Sequence, residues 1–164
     1  MGSLHERLHL PHDPIATERL GERVGARLRS GDVVALVGEL GAGKTTFARG
    51  VARGLGVDDP DAVSSPTYLL VVEHPGPLRL LHADAYLPGK LRAFLDDGGL
   101  DYLLDPTAVV VVEWADRIAD RLPERTLSIE LTPAADGGRT VALRASDAAA
   151  WPWATAAVLQ GDAP

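Results

Sequence analysis

The segment Gly38-Glu39-Leu40-Gly41-Ala42-Gly43-Lys44-Thr45 matches the pattern G-x-x-x-x-G-K-[ST]. It lies between a continuous apolar run, Val33–Val37, and a helical pattern, Lys44–Leu55. An unbroken apolar run reads as a strand buried on both faces of a parallel sheet. Strand, glycine-rich turn and helix together are the context in which such a loop binds phosphate. Given this chain's own glycine, lysine and hydroxyl content, the pattern would arise by chance in roughly 2 of 1,000 such sequences. Glycines let the loop curl so that successive backbone N–H groups point inward, aided by the positive end of the helix at Lys44. Lys44 is one of two lysines beside fourteen arginines. A compact ammonium thus stands at the one position where it can reach between phosphates.

Further apolar runs extend the sheet. Val109–Val112 resembles Val33–Val37, and Tyr68–Glu73 and Leu78–Ala83 are weaker strand candidates joined through Pro75-Gly76-Pro77 as a hairpin. Leu127–Leu131 and Thr140–Leu143, joined at Asp136-Gly137-Gly138, read as a C-terminal hairpin. Leu4–Leu10 alternates with a strand period, which leaves His5 and His9 on a solvated face and assigns no metal to them or to His12. Asp13-Pro14 opens an amphipathic helix that carries Leu20, Val24 and Leu28 and is expected to end at Ser30-Gly31. Arg19, Arg23 and Arg27 form a column on its other side, read as a solvated face or a docking surface. Arg49 and Arg53 on the next helix carry the same two readings. Helical patterns also cover Lys90–Leu104, broken at Gly98-Gly99, and Ala115–Arg121. The expected fold is α/β: a P-loop NTPase fold with a parallel central sheet, antiparallel additions and helices on both faces. Residues 1–164 are expected to form one P-loop ATPase domain, the tail after Ala145 being a short packed helix or a loose end.

A phosphate cradle needs a second acid for its metal and a group to position water. Glu113 directly follows Val109–Val112, at the carboxyl end of a buried strand, where open α/β sheets place their sites. It is the candidate to hold Mg²⁺ with the Thr45 hydroxyl; an ordinary surface ion pair is the alternative. Asp84 ends Leu78–Ala83 and is the candidate to orient the attacking water, against the reading of a helix cap or turn residue. Thr46 would meet an inner phosphate. Ser64-Ser65-Pro66-Thr67 reads either as a loop that senses the terminal phosphate or as a hydrophilic turn. The chain has no Asn, which excludes the N-K-x-D guanine motif and leaves ATP as the favoured nucleotide.

Composition narrows the class. Sixteen Lys+Arg against 23 Asp+Glu give a net charge of −7, the wrong sign for unaided binding to nucleic acid. The absence of cysteine removes disulfides, thiolate metal sites and Cys nucleophiles. Neither a leader-like segment nor a run long enough to span a bilayer is legible, so the expected location is cytoplasmic.

In order along the chain, Gly38–Thr46, Ser65-Pro66-Thr67-Tyr68, His82-Ala83-Asp84-Ala85-Tyr86, Glu113-Trp114 and Leu122-Pro123 resemble the TsaE (YjeE) family of bacterial P-loop ATPases, over about Pro11 to Arg144. The resemblance implies a role in the threonylcarbamoyl modification of adenosine 37 (t6A) in tRNAs that read codons beginning with A. It implies TsaB and TsaD as partners and a nucleotide cycle needed for turnover of the modifying complex, with tRNA reached through that complex. Position by position, it implies Lys44 and Thr46, with Gly41, Ala42 and Gly43, on phosphates, Thr45 and Glu113 on Mg²⁺, and Asp84 in hydrolysis. It adds Thr17 near the adenine, the basic Arg139 in the last hairpin, and Trp114 beside the nucleotide site, although core packing explains Trp114 equally well. Two positions depart from the family pattern: Leu87 stands where an Arg is common, and Glu39 where Asp is usual. The rival functions are a small-molecule kinase, for which no arginine-bearing lid is visible, and a non-catalytic, nucleotide-gated assembly module. With no arginine finger legible in the chain, slow hydrolysis by the isolated protein is expected.

Overall fold

The computed structural model describes residues 2–161. In chain order it contains β1 (Leu4–Leu10), α1 (Pro14–Gly25), β2 (Val33–Val37), α2 (Lys44–Leu55), β3 (Val71–His74), β4 (Leu80–Asp84) and α3 (Pro88–Phe94). There follow α4 (Leu100–Leu103), β5 (Val109–Glu113), β6 (Leu127–Pro133), β7 (Arg139–Ala145) and α5 (Ala156–Leu159). One seven-stranded sheet runs in the order β1-β7-β6-β2-β5-β4-β3. Its centre, β6-β2-β5-β4, is parallel, and β3 on one side and β7-β1 on the other are antiparallel. This is the expected α/β arrangement with its hairpin additions.

Strands β2, β4 and β5 are buried on both faces. Val34 and Leu36 of β2, with Val109 and Val111 of β5, meet α1 and α2. Val33, Ala35, Val110 and Val112 face the opposite way, against Leu91, Leu95, Leu103 and Ile118. That is why these segments read as unbroken apolar runs. Within the described part of the tail, Trp151, Ala154 and Leu159 are buried. Trp151 is buried, donates from its indole N–H to the Arg125 carbonyl (3.0 Å), and meets Trp153 edge-on.

Helices α1 and α2 cross at backbone distance because small residues line the contact. A Cβ on Gly50 would lie 2.0 Å from the Glu18 carbonyl oxygen, and one on Gly25 would lie 2.2 Å from that of Val51. This approach sets α1 against the start of α2 and so brings buried Thr17 beside Gly43. Neither backbone can yield without moving a helix, so Gly50→Ala should destabilise by about 3 kcal/mol, the upper end for overpacking. Urea unfolding would read this as a lower midpoint at unchanged slope.

Several element boundaries differ from the sequence reading. Helix α1 stops at Gly25, where the chain tightens into turns: the Arg27 N–H bonds to the Val24 carbonyl and that of Leu28 to the Gly25 carbonyl. Strand β3 begins at Val71 rather than Tyr68, because the chain turns at Leu70 (φ 64°) before it pairs with β4. The Lys90–Leu104 pattern is α3, a wide π turn over Leu95–Gly99 with Gly98 at φ 95°, and α4. Ala115–Arg121 is a tight 3₁₀ segment interrupted at Ile118. Four of the five arginines in these columns, Arg23, Arg27, Arg49 and Arg53, are tied to the protein. Arg23 donates to the Leu159 carbonyl and Arg27 to that of Arg23. Arg49 donates to the Val63 carbonyl (3.1 Å), and Arg53 bridges Glu18 and Asp61.

His74, at the end of β3, is buried, and loss of solvation holds its imidazole below the ordinary value of 6.5. Nearby His82 pushes the same way, and Asp59 opposes weakly. The unfolded chain therefore takes up a proton more readily than the folded one once the pH drops below 6.5, so stability falls on acidification and levels off below the folded-state value. His74→Leu should flatten part of the fall in melting temperature between pH 7 and pH 5, read by thermal unfolding across that range.

Candidate nucleotide and cation site

The site forms where β2, β4 and β5 end. Strand β2 leads into the loop Gly38–Gly43, and α2 starts at Lys44. Gly43 precedes the helix in a left-handed conformation (φ 105°) with Thr17 against it. Gly38 has no room for a side chain, since a Cβ would come within 2.6 Å of the Leu131 carbonyl oxygen. The Lys44 ammonium curls back to donate to the carbonyls of Gly38 (2.6 Å) and Glu39 (2.8 Å) and lies 4.0 Å from the centre of a Trp114 ring. Desolvation lowers its pKa below the ordinary 10.5, and the carboxylates of Glu113, Asp84, Glu39 and Asp116 partly oppose this. Glu39 thus meets Lys44 through its carbonyl as well as through its charge.

Register places the two acids side by side, with Asp84 at the end of β4 opposite Glu113 at the end of β5. Both are buried. The Thr45 hydroxyl donates to Glu113 Oε1 (2.9 Å), so a hydroxyl and a carboxylate from separate elements face one point. This donor set suits Mg²⁺, which is ordinarily held by one or two carboxylates with phosphate and water completing its shell. Among the described residues there is no cluster of three or more acidic, His or Cys side chains that would form an all-protein metal cage. Asp84 does not point freely into the site. Its Oδ1 accepts from the Tyr86 N–H (2.7 Å), and its Oδ2 accepts from the hydroxyls of Ser65 and Thr67 (3.1 Å each). The Ser64–Thr67 segment is therefore fastened to the acid.

Two depressions meet at Thr46. One is lined by Lys44, Thr45, Ser65, Thr67, Glu113 and Trp114 among others. The other is lined by His12, Asp13, Thr17, the loop glycines and Arg139. Arg139 braces the loop, donating from Nε to the Ala42 carbonyl (3.0 Å) and from Nη2 to that of Gly41 (3.4 Å). Thr17, Gly41, Ala42, Gly43, Lys44, Thr45, Thr46, Glu113 and Arg139 thus line these two depressions, and Asp84 lies behind them, bonded to Ser65 and Thr67.

Three features were not read from the sequence. His82 Nε2 lies 2.6 Å from Glu113 Oε2. Trp114 holds a left-handed backbone (φ 56°), which costs a bulky residue about 1–3 kcal/mol. The guanidinium of Arg117 stacks on the rings of Trp114 (4.7 Å) and Tyr86 (5.2 Å) and donates to the Tyr86 carbonyl. Thus a cation stands beside Tyr86 although position 87 is Leu. The one legible signal concerned His82, which a period of two puts on the same side of its strand as Asp84.

A parallel sheet with this loop between β2 and α2, and an acid at the end of the neighbouring strand, defines a P-loop NTPase fold and a nucleotide-binding protein. The sequence model of the family described as Threonylcarbamoyl adenosine biosynthesis protein TsaE matches residues 12–141, and the chain belongs to that family. It is 42% identical to the tRNA threonylcarbamoyladenosine biosynthesis protein TsaE of Treponema pallidum over 125 residues, covering 76% of this chain and 90% of that protein. The Bacillus subtilis protein of the same name is 37% identical over 134 residues, covering 81% and 82%. The crystal structure of Bacillus subtilis YdiB superposes with a TM-score of 0.70 at 30% identity, covering 90% of this chain and 89% of that one. Among the described residues no helix is long and apolar enough to cross a membrane.

Proposed function

We propose that this protein is a Mg²⁺-dependent ATPase that serves the threonylcarbamoyl modification of adenosine 37 in tRNA. In this reading it acts in the cytoplasm with TsaB and TsaD and drives turnover of the modifying complex. The observation that carries the reading is the meeting of Lys44, Thr45, Glu113 and Asp84 at one end of the sheet, beside a loop whose amides can cradle phosphates.

Lys44 would exchange its two neutral carbonyl acceptors for anionic phosphate oxygens, a contact between opposite charges. Amides of Gly41, Ala42 and Gly43 and the hydroxyl of Thr46 would hold the inner phosphates, and Thr17 would pack near the base. Arg139 keeps the loop closed by holding two of its carbonyls. Thr45 and Glu113 would hold Mg²⁺, whose charge would stabilise the negative charge of the phosphates. Asp84 would accept a hydrogen bond from a water and aim it at the terminal phosphorus. The water oxygen would bond to that phosphorus as the bond from phosphorus to the bridging oxygen breaks, the water's proton passing to the released phosphate, so that ADP and inorganic phosphate leave. Because Ser65 and Thr67 bond to Asp84, the same acid would report the state of the terminal phosphate to their loop. The net charge of −7 fits a protein that leaves most of the tRNA affinity to its partners.

The reading is tested by calorimetry with Mg·ATP, by co-purification with TsaB and TsaD in ATP and in ADP, and by a nucleoside assay on the tRNA product. Expected are binding of Mg·ATP, nucleotide-dependent association, and modification that requires this chain. Absence of any heat with Mg·ATP would remove the reading, and labelled phosphate on a metabolite instead of in solution would replace it with a kinase.

A further inference from the structure

Strand β4 is apolar except for two residues, His82 and Asp84, and both are buried. His82 has no exposed surface, and its ring lies next to β5, where its Nε2 is 2.6 Å from Glu113 Oε2. A carboxylate only accepts, so Nε2 carries the hydrogen. The second ring nitrogen, Nδ1, then has no protein partner among the described residues. A buried imidazole satisfied at one nitrogen costs more than a packed apolar side chain would at the same place. Its one bond, however, is made to the acid that faces Thr45.

The two oxygens of Glu113 are used differently. Oε2 is engaged by His82, while Oε1 is the nearer acceptor for the Thr45 hydroxyl. A glutamate has three side-chain torsions, and a bond to one oxygen from a ring fixed within the sheet removes much of that freedom. We propose that His82 is a positioning residue that aims Glu113 Oε1 at the cation site shared with Thr45. The inference rests on the reading of Thr45 and Glu113 as the pair that holds Mg²⁺. It adds a residue that touches neither nucleotide nor cation but sets the geometry of one that does.

The test compares the affinity of the full chain for ATP in EDTA and in saturating Mg²⁺, by calorimetry, for the native protein and for His82→Leu and His82→Gln. The native ratio of the two dissociation constants measures what the cation adds. In His82→Leu that ratio should fall by about tenfold, the usual cost of losing a partner of a metal-ligating group. Affinity in EDTA should stay within about twofold, since Lys44 and the loop amides are untouched. His82→Gln, whose amide nitrogen can reach the position of Nε2, should restore the ratio. Should the Leu variant not fold, His82→Asn replaces it, because its amide is one methylene too short to reach Glu113. An unchanged ratio in the Leu or Asn variant would overturn the inference. So would an equal loss of affinity in EDTA, which would mark His82 as a packing residue only. If the native protein gains nothing from Mg²⁺, it is the reading of Thr45 and Glu113 that fails.

Discussion

Replacing Lys44 by Ala should weaken Mg·ATP binding by roughly 100-fold, about 2.7 kcal/mol, the scale of losing a charge-assisted hydrogen-bonded contact. The expectation follows from how the ammonium is held. It is buried, its pKa is lowered by lost solvation, and its present partners are two backbone carbonyls. Those neutral acceptors do not compensate the charge, whereas a triphosphate would, so exchanging one for the other favours binding. The substitution also empties the space beside Trp114, whose ring the ammonium now covers. Tryptophan fluorescence would then report the loss of lysine in the free protein, and calorimetry the loss of affinity. A Lys44→Ala variant that binds Mg·ATP as the native chain does would show that the loop amides alone suffice. Lys44→Arg should recover little, because a planar fork cannot replace a compact ammonium tucked beneath the loop.

The sheet was legible wherever burial on both faces makes an apolar run, as at Val33–Val37 and Val109–Val112. The loop was legible because backbone cradling of phosphate needs glycines at fixed spacing. Tyr68 and Leu69 misled, since apolar composition suggested strand, yet they are 90% and 73% exposed, ahead of a left-handed turn at Leu70. Tyr68 stands at the rim of the site, and neither residue belongs to the core. The contact between His82 and Glu113 spans 31 positions and joins two strands whose neighbourhood only the sheet order reveals. Arg117 was hidden for the same reason, as its partners Tyr86 and Trp114 come from different strand ends. Asp84 was found by its place after an apolar run, but its attachment to Ser65 and Thr67 depends on how the intervening loop folds back. Local rules therefore recovered the elements and the acids. Cross-strand register supplied what orients them.

Asp84→Asn should leave Mg·ATP affinity within about threefold and lower hydrolysis by roughly 100-fold or more, the scale of removing a positioned base or a preorganised polar group. The amide keeps the size of the carboxylate, and its oxygen can still accept from the Tyr86 N–H. Its NH₂ group, however, faces two hydroxyls that now donate to Oδ2, so Ser65 and Thr67 must turn and accept instead. Hydroxyls do this readily, which is why the fold and the binding should survive. An amide cannot take the hydrogen bond of an attacking water as a carboxylate does, and it does not draw the loop hydroxyls with the same strength. Single-turnover measurement of phosphate release would separate the chemical step from nucleotide exchange. Native hydrolysis in this variant would remove Asp84 from the reaction. Lost hydrolysis with intact tRNA modification would leave Asp84 its role and turn the nucleotide into an assembly signal, since binding alone would then meet the need of the complex.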